Sequence, residues 1–262
     1  MENLSKEQIF DKLMNALLTE EMPSQWLERL RGEDCFDHFF PELNALIGVP
    51  QNQLHHREGD VWTHTLLVAD QAAKRRDIVK NPAGFMLSAL CHDFGKSVAT
   101  EETDGIIHSY RHEKEGLPLV RSFLERFTED RELIGYVLNM TEYHMTPNIM
   151  AEARSRLKST NRLFDRSAEP FDLIQLSICD GLGKLPQNNN NEDFLMERYE
   201  MFREVMARPY VTEKELKEAG VLTAENRAEL LSYANKLRLA GCKKENSMRQ
   251  CIAYSRKEKK NK

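Results

Sequence analysis

Along most of this 262-residue chain, apolar residues return every three or four positions, and no stretch alternates apolar with polar residues. The first period lines one face of a helix; the missing period of two is the mark of a half-buried strand. Ile9, Phe10, Leu13, Leu17 and Leu18 begin the series, and Pro23 opens a second short helix. Leu43, Leu46 and Ile47 share a face, with Gly48 as a stop. Asp60 is placed to cap VWTHTLLVADQAAKRR, and Pro82 to open AGFMLSALCHD, which Gly95 ends. The pattern breaks from 97 to 111, where Gly105 marks a loop. It resumes over 112–127 and 131–144, and Pro147 ends it. Phe171–Gly181 is another apolar-faced helix, and 187–193 is a polar linker. Thr212 with Glu215 forms a capping box before a final helical pair. The expectation is an all-α fold of roughly ten helices. A helical segment spans 1–50, the main bundle 51–186, and a helical extension with a basic tail 192–262.

Charge is unevenly placed. Residues 231–262 hold ten Lys/Arg and two Glu, so +8, whereas the net charge is −5. The body is therefore acidic. The simpler reading of the tail is a solvated, frayed end; the alternative is contact with RNA. The five cysteines form no CxxC pair, so neither a disulfide framework nor a zinc knuckle is written here. Reduced thiols and a polar N-terminus without an apolar stretch predict a cytoplasmic protein with no membrane segment. Gly95-Lys96-Ser97 lacks the upstream glycine of a phosphate-binding loop, and Asp93-Phe94-Gly95 has none of the companions of a kinase site.

What survives is a set of histidines and carboxylates. His92-Asp93 closes an apolar helix, presenting an imidazole and a carboxylate at one helix end. His64 lies inside another apolar helix, where a buried imidazole needs a partner. Asp180 ends LIQLSICD, where an unpaired carboxylate is costly. This donor mix suits Fe, Mn, Ni, Co or Zn, with Mg also accommodated, and leaves coordination positions for water and substrate.

His64, His92-Asp93 and Asp180 resemble the H…HD…D signature of the HD-domain metal-dependent phosphohydrolases. FPELNALIGVPQ, HREGDVWTHT, LCHDFGK, YRHEKEG and RPYVTEKELKEAG, in that order, are similar to the C-terminal half of bacterial CCA-adding tRNA nucleotidyltransferases. The resemblance implies an HD-domain helical bundle over 51–186, preceded by a neck-like segment. It also adds His112 and His144 as ligands to a second metal, with Asp93 bridging; the alternative is one metal, with His112 and His144 holding a phosphate. It implies phosphatase, 2′-nucleotidase or 2′,3′-cyclic phosphodiesterase chemistry on nucleotides or RNA ends. Those transferases also carry a G-S motif and a D-x-D carboxylate pair. No D-x-D occurs in this sequence, so a headless protein without nucleotidyl transfer is expected.

Asp93 and Lys96 are the expected catalytic pair, the lysine matching the HDxGK pattern. Lys96, Glu58 and Arg111 are the expected substrate contacts, with Glu58 facing the histidine ligands. A lysine in the last turn also complements the helix dipole, so Lys96 has a purely structural alternative. His55 and His56 lie in the loop before the first ligand helix, and His38 and His108 read as surface or locally bonded residues. Two other functions compete: hydrolysis of small signalling nucleotides, and a non-catalytic RNA-binding or partner module.

Overall fold

A computed structural model describes residues 5–33, 35–187 and 190–258. Two compact units emerge, one from residues 1–153 with 167–195, the other from 154–166 with 196–262. The first contains α1 (Lys6–Thr19), α2 (Pro23–Arg31), α3 (Phe36–Phe39), α4 (Pro41–Asn44), α5 (Val61–Ala73), α6 (Pro82–Cys91) and α7 (Lys96–Ala99). A hairpin of β1 (Glu101–Thr103) and β2 (Ile106–His108) follows, then α8 (His112–Glu115), α9 (Leu117–Phe127), α10 (Arg131–Tyr143) and α11 (Thr146–Glu152). After α12 (Leu157–Arg166), which belongs to the second unit, α13 (Pro170–Leu182) completes the first.

Three helices form its centre. Ten of the thirteen residues of α5, eight of the ten of α6 and ten of the thirteen of α13 are buried. Helices apolar around most of their circumference must be surrounded by others, and here α5 packs on α6 and α13 while α10 lies on α6. Caps set where they begin. Asp60 accepts from the Thr63 amide (2.9 Å) at α5, and Asn81 from the Gly84 amide (3.0 Å) at α6. Residues 6–31 belong to the same unit. Asp70 of α5 accepts from the Ser24 amide and hydroxyl (3.0 and 2.6 Å), and Trp62 Nε1 donates to Glu28 (2.6 Å). Asp172, fully buried in the first turn of α13, accepts from the Lys80 and Asn81 amides and from the Tyr136 hydroxyl (2.7 Å).

The segment after α6 is fixed by two contacts. Phe94 is fully buried, edge-on to Phe123 with ring centroids 5.5 Å apart. Gly95, read from sequence as a helix stop, has ordinary helical torsions (φ −65°, ψ −18°). Its role is close approach: a Cβ there would stand 2.0 Å from the His112 carbonyl oxygen and 2.6 Å from the Gly116 amide nitrogen. Only a residue without a side chain lets these backbones meet. Lys96 opens the one-turn α7 and does not close α6, as its reading as a last-turn lysine required.

The loop expected around Gly105 is the turn of an antiparallel hairpin, with Asp104 and Gly105 both at positive φ (51° and 74°). Asp-Gly is a favoured pair for such a tight turn. Strand β1 is fully exposed, and β2 has one exposed and two half-buried residues. With no buried face there was no alternation to read. Pro147 sits near the start of α11 and does not end the helical stretch, a position that asks for no amide hydrogen.

In the second unit, α15 (Glu213–Glu218), α16 (Arg227–Leu239) and α17 (Lys244–Glu258) follow α14 (Glu192–Ala207). The capping box at Thr212 and Glu215 forms as predicted. Val211, Leu216, Val221, Leu230, Ala234 and Cys251 make its core. The frayed-tail reading is corrected as far as residue 258: α17 is a helix whose Cys251 is fully buried, with Met248 and Ile252 packed beside it. Of the polar linker, residues 188 and 189 lie outside the described residues, as does the end of the tail from 259. Among the described residues no helix is long and apolar enough to cross a membrane.

Candidate metal centre

The three central helices and two peripheral ones deliver their polar residues to one place. His64 comes from the first turns of α5, His92 and Asp93 from the end of α6, and Asp180 from the last turns of α13. His112 opens α8 and His144 caps α10. All six are buried.

Asp93 stands between two groups. On one side its Oδ2 lies 3.2 Å from His92 Nε2 and 3.6 Å from His64 Nε2, which in turn is 3.1 Å from Asp180 Oδ1. On the other, its Oδ1 lies 3.1 Å from His112 Nε2 and 3.7 Å from His144 Nε2. His64, His92 and Asp93 offer one set of converging ligand atoms; Asp93, His112 and His144 offer another.

The hydrogen-bond arithmetic asks for cations. Nδ1 of His92, His112 and His144 sits 2.7–2.8 Å from the carbonyl of the residue three positions earlier, Ala89, Ser109 and Thr141 respectively. A carbonyl only accepts, so these Nδ1 atoms carry the hydrogen and each neutral ring presents a bare Nε2. The bare Nε2 atoms of His112 and His144 face each other at 3.4 Å, and that of His92 lies 3.4 Å from His64 Nε2, itself 3.1 Å from Asp180 Oδ1. Neither oxygen of Asp93 has a well-directed hydrogen bond, although both are sealed from water. Buried lone pairs converging on a carboxylate are an arrangement that a metal ion satisfies, so the residues fit one.

The electrostatics is divided: the carboxylates and His144 sit in the forms that ligate, whereas two of the other histidines are raised. Burial pushes the Asp93 carboxyl up, but His92, Lys96 and the His112 contact outweigh it and hold it well below the usual range. Asp180 is likewise held down against burial, by Lys184 and His64. Burial drives His144 down to about 3, helped by His92 and His112, which keeps its ring neutral and able to ligate. His64 and His112 are raised against burial by their carboxylate neighbours.

A cavity of about 590 Å³ opens onto this cluster. Asp93, His112, His144 and Asp180 reach its wall, as do Lys96 and Lys184. Lys96 Nζ is held 2.7 Å from Asp93 Oδ2 and donates to Gln51 Oε1 at 2.8 Å.

Residues 61–182 match the family model for the HD domain. The chain contains an HD domain. All six candidate ligands fall inside those limits. Curated relatives extend the likeness beyond it. The "Multifunctional CCA protein" of Actinobacillus pleuropneumoniae serotype 5b is 34% identical over 191 residues, 71% of this chain and 46% of the relative. That of Alkalilimnicola ehrlichii is 32% identical over 215 residues, covering 79% and 50%. That of Pseudomonas fluorescens SBW25 is 34% identical over 180 residues, covering 68% and 42%. The chain therefore spans about half the length of the curated relatives it matches.

The other residues singled out from sequence divide. Glu58, just before the HD domain, does not line the cavity. Its Oε1 lies 3.1 Å from His64 Nδ1 and 2.7 Å from His56 Nδ1, while Oε2 accepts from the Leu185 amide (2.8 Å). It faces a histidine ligand as expected, and from that position steadies the ring. Arg111 is exposed, sits at positive φ (61°) before α8, and is absent from the cavity wall; the structure does not bring it to the site. His55 and His56 do line the cavity. Sequence reasoning missed Lys184, whose Nζ lies 3.2 Å from Asp180 Oδ2. The signal was available: Lys184 follows Asp180 by four residues, one helical turn.

Proposed function

We propose that this protein is a metal-dependent phosphohydrolase, acting on 2′,3′-cyclic or 2′-phosphorylated nucleotides and RNA ends. The observation that carries the reading is the convergence of four imidazole nitrogens on the Asp93 carboxylate, with Asp180 beside His64, at the floor of an open cavity. His64, His92, Asp93 and Asp180 would hold one ion; His112 and His144 would share Asp93 with a second. Fe, Mn, Ni, Co and Zn suit these donors, and Mg is the hard alternative. Such ions supply Lewis acidity and a water nucleophile at neutral pH.

The chain's own residues do the remaining work. Asp93 orients the reacting groups through both oxygens. Lys96, tethered by Asp93 and Gln51, directs positive charge at the non-bridging phosphoryl oxygens, where charge develops. Amide side chains of Gln51, Asn52, Asn148 and Gln187 line the cavity and offer donors and acceptors to a nucleoside. The resemblance to CCA-adding tRNA nucleotidyltransferases favours an RNA terminus as the substrate class. Nucleotidyl transfer is not carried over, because this sequence contains no D-x-D.

The test is metal analysis of the purified protein combined with a substrate panel of 2′,3′-cyclic AMP, 2′-AMP, 3′-AMP and a dinucleoside polyphosphate, each with Mn, Ni or Mg. Turnover of the first two, lost together with metal in His92→Ala, is expected. Turnover of the dinucleoside polyphosphate alone would assign the protein to small-nucleotide hydrolysis. Metal binding without any turnover would make it a binding module.

A further inference from the structure

Lys184 has no role in the account above, yet its position is defined from three directions. It lies beyond the last turn of α13 and reaches the cavity wall. Its ammonium lies 3.2 Å from Asp180 Oδ2, the oxygen not used by His64. The backbone beside it is pinned: the Arg57 amide donates to the Leu185 carbonyl (2.9 Å), and the Leu185 amide donates to Glu58 (2.8 Å). Glu58 also contacts His64. One loop therefore fixes a candidate ligand and a lysine together.

The charged groups form a row: Lys96, Asp93, His64, Asp180, Lys184, with neighbouring members 2.7–3.6 Å apart. An ammonium stands at each end. Among the described residues, Lys96 and Lys184 are the lysines on the cavity wall, and no arginine reaches it. Of the three ammonium hydrogens of Lys184, the Asp180 contact occupies one, leaving donors for a ligand. The charge balance gives them a purpose. Asp93, Asp180 and Glu152 bring three negative charges to the wall and the two lysines bring two positive ones. With a single divalent ion the wall is only +1. Without Lys184 it is neutral, and Lys96 is the one cationic side chain on the described wall left to meet a phosphate dianion.

We infer that Lys184 is a phosphate-binding residue of this site, gripping a non-bridging oxygen opposite Lys96. The inference deepens the proposed hydrolysis and rests on it for the reaction, but its test reads binding directly. Inorganic phosphate is titrated into metal-loaded wild type, Lys184→Met and Lys184→Arg by calorimetry, with metal content measured on the same samples. Lys184→Met should keep its metal within about twofold and weaken phosphate binding by 10-fold or more, one charge-assisted contact. Lys184→Arg should recover most of that affinity. If the wild type proves catalytic, the loss should appear in KM for phosphomonoesters. Unchanged phosphate affinity in metal-replete Lys184→Met overturns the assignment. Metal loss in Lys184→Met, with normal phosphate affinity in the fraction still loaded, reduces the lysine to a partner of Asp180 and also overturns it. Wild-type protein that binds phosphate through Lys184 but hydrolyses nothing would leave this inference standing and defeat the proposed function.

Discussion

Replacing Gly95 by alanine should separate the two halves of the metal centre. The added Cβ would stand 2.0 Å from the His112 carbonyl oxygen, where ordinary contact begins at 3.4 Å. The obstacle is backbone on both sides, the His112 carbonyl and the Gly116 amide, and neither can swing away. The α6–α7 turn and α8 must therefore part by roughly 1.4 Å, an overpacking strain of about 1–3 kcal/mol. The displaced residue is His112 itself, whose Nε2 lies 3.1 Å from Asp93 Oδ1. The Asp93, His112 and His144 group should open, while His64, His92 and Asp180, on other elements, stay together. Urea unfolding of the metal-free protein measures the strain, and metal stoichiometry with equilibrium dialysis measures the opening. Gly135→Ala is the control: it lies in the interior of α10 with no atom within 4 Å of a Cβ, and should stabilise by about 0.5–1 kcal/mol through helix propensity. A Gly95→Ala protein as stable as wild type, with unchanged metal content and affinity, would refute the close-approach argument.

Tyr136→Phe removes a buried donor to Asp172 and should cost about 1.5–3 kcal/mol in urea unfolding, with metal content unchanged. Glu58→Gln replaces the carboxylate behind His64 and should weaken metal binding 10- to 100-fold in chelator competition. Thiol labelling of the folded protein should modify Cys35 and Cys242, which are partly exposed, and spare Cys91, Cys179 and Cys251 until denaturant is added. Burial pushes the Cys179 thiol up to about 12 and the Cys91 thiol well above its ordinary value, so neither forms thiolate near neutrality.

The residues differ in how far the sequence announces them. His64, His92, Asp93 and Asp180 are legible because each interrupts an apolar run, and a polar group in such a run needs a reason. His112 and His144 interrupt nothing so clear: α8 is a single turn, and His144 follows a helix with only one buried face. They entered through family resemblance, and the structure then placed them beside Asp93. Helix α12 went unmarked because its ten residues carry few apolar positions, of which Leu163 and Phe164 are buried. Arg111, expected as a substrate contact, is exposed, sits at positive φ and lies off the cavity wall.

Three of the four imidazoles are anchored locally, each by the carbonyl three residues earlier. His64 is the exception, because its Nδ1 looks to Glu58 across a loop that is itself closed by Leu185. Three rings thus depend on a neighbour three residues away, whereas the fourth depends on a segment far along the chain. A truncation that removed the Leu185 contact would leave every ligand residue in the protein and still deliver an incomplete site.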